Sequence, residues 1–176
     1  MYHCHIRFYF LGHSCRAFEV LKEMPALERF THEFFESVEP EAELVSRADV
    51  IFACLPDGAG AAKTMTADKT GVAGAVELVR GLLAGKRDGA ELVLLADKAR
   101  VEAVGAALGE ELFGIRDIWA LPMSETEVRF HFLRWQQSYK QGKDLWEKGQ
   151  FLEATINGVP NLIWYKTKDG IHEKVN

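Results

Sequence analysis

Two kinds of segment alternate along the chain: short, almost unbroken apolar runs and longer stretches whose apolar residues recur at helical spacing. Residues 6–11 (IRFYFL) form the first strand candidate, closed by Gly12. Phe18, Leu21 and Met24 then fall on one helix face, and Pro25 stops that pattern. Residues 30–37 (FTHEFFES) suit a second strand, with a short acidic helix expected around 40–46. Residues 49–55 (DVIFACL) and 91–96 (ELVLLA) are near-continuous apolar runs, as expected of strands covered by helices on both faces of a parallel sheet. Residues 72–84 and 99–113 read as helices, and 115–121 (IRDIWAL) as a fifth strand ahead of Pro122. Strand and helix alternate five times, which predicts an α/β fold with a doubly wound, five-stranded parallel sheet.

The last helix differs from the others. Ser124 followed by Glu127 spells a capping box, so its start is well marked, and no strong stop occurs before Asn157-Gly158. About 30 residues at 1.5 Å each make a rod of ~45 Å, far longer than one small sheet needs. Phe132, Tyr139 and Trp146 recur every seventh residue, with Trp135 three beyond Phe132 and Leu145 and Leu152 as a parallel pair. Such spacing is that of a coiled-coil seam and predicts a homodimer through this helix. The alternative is a helix that packs Val128, Phe132 and Trp135 on its own domain and frays at Gly142 and Gly149. Beyond it, residues 162–166 (LIWYK) and 171–175 (IHEKV) flank Thr167-Lys168-Asp169-Gly170 as a β-hairpin. Three segments are therefore expected: an α/β domain over 1–123, a signalling helix over 124–156, and a further element over 157–176. The chain stops straight after a strand, which suggests the opening of another domain.

Composition narrows the class. Hydrophobic residues make up 48% and charged ones 27%, enough apolar material to bury a core without disulfides or metal. The net charge of -5 with interspersed signs speaks against a nucleic-acid partner. Cys4, Cys15 and Cys54 are too few and irregular for a disulfide framework and point to a reducing compartment, hence the cytoplasm. No apolar run approaches the ~20 residues of a membrane helix.

Two resemblances emerge. The five-fold β/α alternation with Pro122 after the fifth strand resembles a response-regulator receiver domain, of the CheY-like (flavodoxin-like) fold. The stretch from Ala154-Thr155-Ile156 through Val159-Pro160-Asn161-Leu162-Ile163-Trp164-Tyr165 to Gly170 and Val175-Asn176 resembles the opening of a PAS sensory domain. A receiver, a long helix and a PAS domain in that order are similar to bacterial sensory proteins that end in a GGDEF (diguanylate cyclase) domain. The resemblance implies a regulatory module of two-component type and no catalysis by this chain.

Receiver phosphorylation needs carboxylates to hold a divalent metal, an aspartate nucleophile and a lysine for the phosphoryl charge. Carried onto this sequence, the acidic pair falls on Gly12 and His13, the nucleophile on Cys54, the hydroxyl on Ala96 and the lysine on Leu121. Each chemical position is substituted, so the resemblance implies a pseudo-receiver with no catalytic residue, no cofactor and no metal. Asp57 would have no acidic pair beside it, and Asp49 falls at the wrong end of its strand.

Other chemistries are weaker. Residues 58–64 (GAGAAKT) miss a phosphate loop, because Ala62 and Asp57 stand where its two glycines belong. His3, Cys4 and His5 lie about 20–26 Å along a strand from His13 and Cys15, too far to share one ion. Cys54 reads first as a small buried hydrophobe and second as a sensing thiol, with no Lys, Arg or His close in sequence to lower its pKa. Trp119 reads as core. The alternative function is small-molecule binding in the crevice at the strand C-termini, lined by Gly12, His13, Cys54 and the loop at 58–70.

Overall fold

The computed structural model describes residues 6–12, 15–37, 42–55, 71–157, 164–166 and 172–174. Five strands, β1 (Arg7–Leu11), β2 (Thr31–Phe35), β3 (Val50–Cys54), β4 (Glu91–Asp97) and β5 (Asp117–Leu121), form one sheet in the order β2-β1-β3-β4-β5. Every neighbouring pair is parallel. The helices are α1 (Arg16–Lys22), α2 (Ala42–Arg47), α3 (Val72–Gly85), α4 (Lys98–Leu108) and α5 (Glu125–Asn157). The chain divides into two compact units after Phe132.

Strand periodicity sorts the core of the first unit into two chemically different layers. Tyr9, Leu11, Ile51, Ala53, Leu92, Leu94 and Ala96 share one face with Val45 of α2, Val76, Val79 and Leu82 of α3, and Val104 and Leu108 of α4. Apart from Tyr9, which meets Phe35 edge-on, that layer is aliphatic, and its alanines leave room for helices to approach the strands. The alternate positions Phe8, Phe10, Phe52 and Trp119 meet Phe18 of α1 and Phe132 of α5 in an aromatic layer. Phe10 sits at its centre, 4.4 Å from Phe34, 5.1 Å from Phe52 and 5.4 Å from Phe18 between ring centroids. Each such pair adds ~0.5–1.5 kcal/mol beyond simple burial. Trp119 is buried, and its indole N–H donates to Asp117 Oδ2 at 2.9 Å, so no polar atom is stranded there.

Asp49 closes the N-terminal edge of the sheet. Its Oδ2 accepts from the Arg7 N–H at 2.8 Å and its Oδ1 pairs with Arg87, while its backbone bridges β1 and β4. The carboxylate that begins the third strand is thus a staple between strands, at the end opposite the strand C-termini.

One expected boundary moved. The helix read over 99–113 ends as α4 at Leu108 and continues as a 3-10 turn over Gly109–Gly114. Gly109 has φ +56, a left-handed backbone that ends helices readily when the residue is glycine. The alternative reading, a helix that frays at Gly142 and Gly149, finds no break in the backbone there, since α5 is continuous from Glu125 to Asn157.

The capping box forms as expected. Ser124 N–H donates to Glu127 Oε2 at 2.7 Å, and Glu127 N–H donates to Ser124 Oγ at 3.2 Å. The backbone bond from Ser124, seconded by its hydroxyl, holds the Glu127 carboxyl below the usual range. A depressed carboxylate pKa supplies stability above the unfolded pKa, and that stability is lost as pH falls through the lower folded value. Ser124→Ala removes the hydroxyl but keeps the backbone N–H, so it is expected to move Glu127 only part of the way back toward an ordinary pKa and to fray the first turn, as followed by NMR titration of the Glu127 carboxyl and by amide exchange of the first turn. An unchanged exchange rate in that turn would refute the stabilising role of the Ser124 hydroxyl.

The second unit holds α5 from Leu133 onward and a short antiparallel hairpin, β6 (Trp164–Lys166) with β7 (His172–Lys174). Tyr165 pairs with Glu173 at its centre. Within α5, Trp135 is buried and stacks on half-buried Tyr139 at 5.3 Å. Leu145 is 71%, Leu152 59% and Trp146 37% exposed.

Candidate functional site

Ligand and reaction sites of open parallel sheets lie outside the strand C-termini, beside the point where strand order reverses. Here that point falls between β1 and β3. Leu11 of β1 pairs with Ala53, which pairs with Leu94, which pairs with Ile118, and β4 and β5 run three residues beyond that level. One step further lie Gly12 and the pair Cys54 and Leu95, two steps further Ala96 beside Ala120, and three steps further Leu121 beside Asp97.

The structure therefore gathers four of the five positions carried over from the receiver pattern at one end of the sheet, and His13 lies outside the described residues. Gly12 has φ +112 and donates its N–H to Phe35 O at 3.0 Å, turning the chain away from β1. Cys54 is 8% and Ala96 1% exposed, while Leu121 is half-buried and joined to Pro122 by a cis peptide. Gly12, Ala96 and Leu121 offer no side-chain oxygen or cation, and Cys54 offers a thiol. Asp97, one residue beyond Ala96, spends its carboxylate on α4, where Oδ1 accepts from the Arg100 N–H at 2.9 Å. Among the described residues, no three His, Cys, Asp or Glu side chains gather around a point that would hold a metal ion. Asp57, the loop at 58–70 and the cluster His3, Cys4 and His5 lie outside the described residues, as do the PAS-like positions 158–163 and 167–171.

The residue that sequence reasoning missed is Cys15. It stands at the head of α1 with extended backbone (φ -90, ψ 156), and its carbonyl accepts from Phe18 N–H at 2.9 Å. Its side chain is hydrogen-bonded to Cys54 across the gap between α1 and the end of β3. That bond is the main reason the Cys15 thiol is lowered to about 7; burial opposes it, and the amides of Phe18, Ala17 and Cys15 itself pull the same way without making a full capping bond. The sequence carried one signal for this contact. Cys54 ends β3 and Cys15 heads α1, four residues after the end of β1, and β1 and β3 are adjacent strands.

An apolar cavity of about 10 Å³ lies under α4, lined by Leu55, Leu94, Ala96, Val101, Val104 and Leu108. That is roughly the room one water requires, far below the few hundred Å³ of a small-molecule site. The seam residues also separate by position. Phe132 is fully buried in the aromatic layer, 6.0 Å from Phe8, and is committed to its own unit. Trp135 is buried, Tyr139 half-buried and Trp146 exposed, so exposure grows toward the C-terminal half of α5.

The sequence matches no protein-family model and no curated protein. Solved structures match in fold. A CheY-like response regulator receiver domain from Methanospirillum hungatei is 10% identical, with a TM-score of 0.52 over 78% of this chain and 98% of that one. The signal receiver domain of an HD domain-containing protein from Pseudomonas fluorescens is 9% identical, with a TM-score of 0.48 over 78% and 98%. The pilus assembly protein CpaE from Caulobacter crescentus is 14% identical, with a TM-score of 0.46 over 70% and 94%. The five-stranded parallel sheet with helices on both faces is thus the CheY-like α/β fold, extended by the long helix α5. No helix among the described residues is long and apolar enough to cross a membrane.

Proposed function

We propose that this chain is a non-catalytic regulatory module of a bacterial cytoplasmic signalling protein, built on a pseudo-receiver that relays its state through a dimer of α5. The observation that carries the reading is the end of the sheet where a receiver keeps its phosphorylation chemistry. Gly12, Cys54, Ala96 and Leu121 converge there and present neither the carboxylates that hold a metal nor a lysine. Among the described residues, phosphoryl transfer finds no electrostatic partner at that end of the sheet. The domain therefore acts by what it binds and how it packs.

The relay runs through α5. Its exposed residues Leu145, Trp146 and Leu152 are the surface a second copy of the helix would cover, in a seam seven residues long per repeat. A signal at the sheet edge biases one of two arrangements of the paired helices, and the segment that resembles the start of a PAS domain receives the change. By family resemblance, a diguanylate cyclase is the expected output further on.

The test is phosphorylation itself. Incubated with Mg²⁺ and acetyl phosphate, the chain is expected to gain no phosphoryl group by intact mass, under conditions that modify an ordinary receiver domain. Stable uptake of a phosphoryl group on Asp57 or any other carboxylate would overturn the pseudo-receiver reading.

A further inference from the structure

The stripe that carries Phe132 and Tyr139 cannot serve as the outer seam of α5 along its whole length. Phe132 and Trp135 are buried and Tyr139 is half-buried, and the same seven-residue spacing then reaches Trp146 and Glu153. A seam in that register would bury the Glu153 carboxylate without a partner, at a high desolvation cost. The exposed apolar residues follow a different line. Leu145, Gly149, Leu152 and Ile156 are spaced by four, three and four residues, so they share one helix face. Leu145 is 71% and Leu152 59% exposed, and nothing lies within 4 Å of where a Cβ on Gly149 would sit. Packing within one chain therefore asks for neither the two leucines nor the glycine, which weakens an exposed helix relative to alanine.

We propose that this face is the seam of a parallel, in-register pair of α5 helices from two copies of the chain. Leu145 and Leu152 take the d positions of the heptad, and Gly149 and Ile156 the a positions. The inference rests on the dimer proposed above and gives it a register and a direction.

The flanking charges set the direction. In this register Lys148 stands at position g and Glu153 at position e, five residues on. A parallel pair places g of one helix beside e of the next heptad on the other, so Lys148 meets Glu153 of the second copy, twice by symmetry. An antiparallel pair sets g beside g and e beside e. Positions g hold Gln141, Lys148 and Thr155, and positions e hold Tyr139, Trp146 and Glu153, so neither charge then finds an opposite one. Gly149 lets the two backbones approach closely between the leucines. Trp146 flanks the seam at e, and Phe151, 74% exposed, lies outside it. Parallel pairing also joins the C-terminal ends of both helices, so the segments after Asn157 leave the seam side by side.

The experiment uses the full chain. Leu145→Cys and Leu152→Cys chains are made separately, mixed in equal amounts and oxidised gently with oxidised glutathione. Peptide mass mapping, which separates these links from any made by the native cysteines, is expected to find position 145 joined to 145 and 152 to 152. Links from 145 to 152 between chains mean an antiparallel pair and overturn the proposal while leaving the dimer intact. The charges give a second readout that needs no oxidation. By sedimentation over a range of concentrations, Lys148→Glu and Glu153→Lys are each expected to weaken dimerisation on the order of tenfold, since two attractive pairs become two repulsive ones. The double exchange Lys148→Glu/Glu153→Lys should restore the parent affinity. Both residues are exposed, so these variants are expected to fold as the parent does. Single exchanges that leave dimerisation unchanged overturn the parallel register. A parent chain that is monomeric at every concentration overturns the dimer reading and this seam with it.

Discussion

Phe52→Ala is expected to lower the stability of the first unit by about 4 kcal/mol, the largest effect of any single truncation in the sheet. Phe52 is fully buried at the middle of the central strand. Its ring lies 5.1 Å from Phe10, 5.3 Å from Trp119, 6.2 Å from Phe8 and 6.5 Å from Phe132, so it joins four elements of the aromatic layer. Truncation loses the transfer energy of the ring and leaves a cavity that rigid aromatic neighbours cannot collapse to fill. Phe52→Leu keeps most of the volume and should cost much less, ~1–1.5 kcal/mol. Urea denaturation followed by tryptophan fluorescence measures both. Equal and small losses would mean that the aromatic layer does not pack as described.

Phe132→Ala is the second large effect, about 3–5 kcal/mol, and it separates two roles along α5. Phe132 lies on the same heptad stripe as Tyr139 and Trp146, yet its ring is fully buried between Phe8 and Phe52. Its loss should weaken folding. The double variant Leu145→Glu/Leu152→Glu should do the reverse. Those side chains are 71% and 59% exposed, and exposed substitutions usually change stability by no more than ~0.5 kcal/mol. If α5 pairs with a second copy, four buried glutamates would break the seam, and light scattering would fall from twice 19.8 kDa to 19.8 kDa. A parent chain that is already monomeric would refute the proposed dimer and leave the Phe132 result untouched.

A chain stopped near Leu121 would also lose Val128 and Phe132, both fully buried in the first unit. Its change in mass would report unfolding as much as dissociation. Point substitutions in the exposed half of the helix avoid that confusion.

Much of the architecture was legible in the order of apolar residues. The buried runs at 49–55 and 91–96 became β3 and β4, the central strands, because a strand covered on both faces has no polar position to interrupt it. Ser124 and Glu127 marked the start of α5 to within a residue, since a capping box is a local interaction three residues long. Gly12, Cys54, Ala96 and Leu121, at the C-terminal ends of their strands, were legible for a related reason, since a strand end is a local feature read directly from the chain.

Tertiary structure alone decided what needed two distant segments. Periodicity placed Phe132, Trp135, Tyr139 and Trp146 on one stripe, but a helix stripe does not record where the domain beneath it stops, so burial of Phe132 and exposure of Trp146 came only with packing. Asp49 looked like a misplaced acid until β1 lay beside β3 and offered it the Arg7 amide. Cys15 and Cys54 each looked ordinary in their own neighbourhood. Local sequence sets strand and helix through backbone geometry a few residues long, whereas a contact between two side chains depends on which strands become neighbours. The order β2-β1-β3-β4-β5 is what set β3, with Asp49 before it and Cys54 at its end, beside β1.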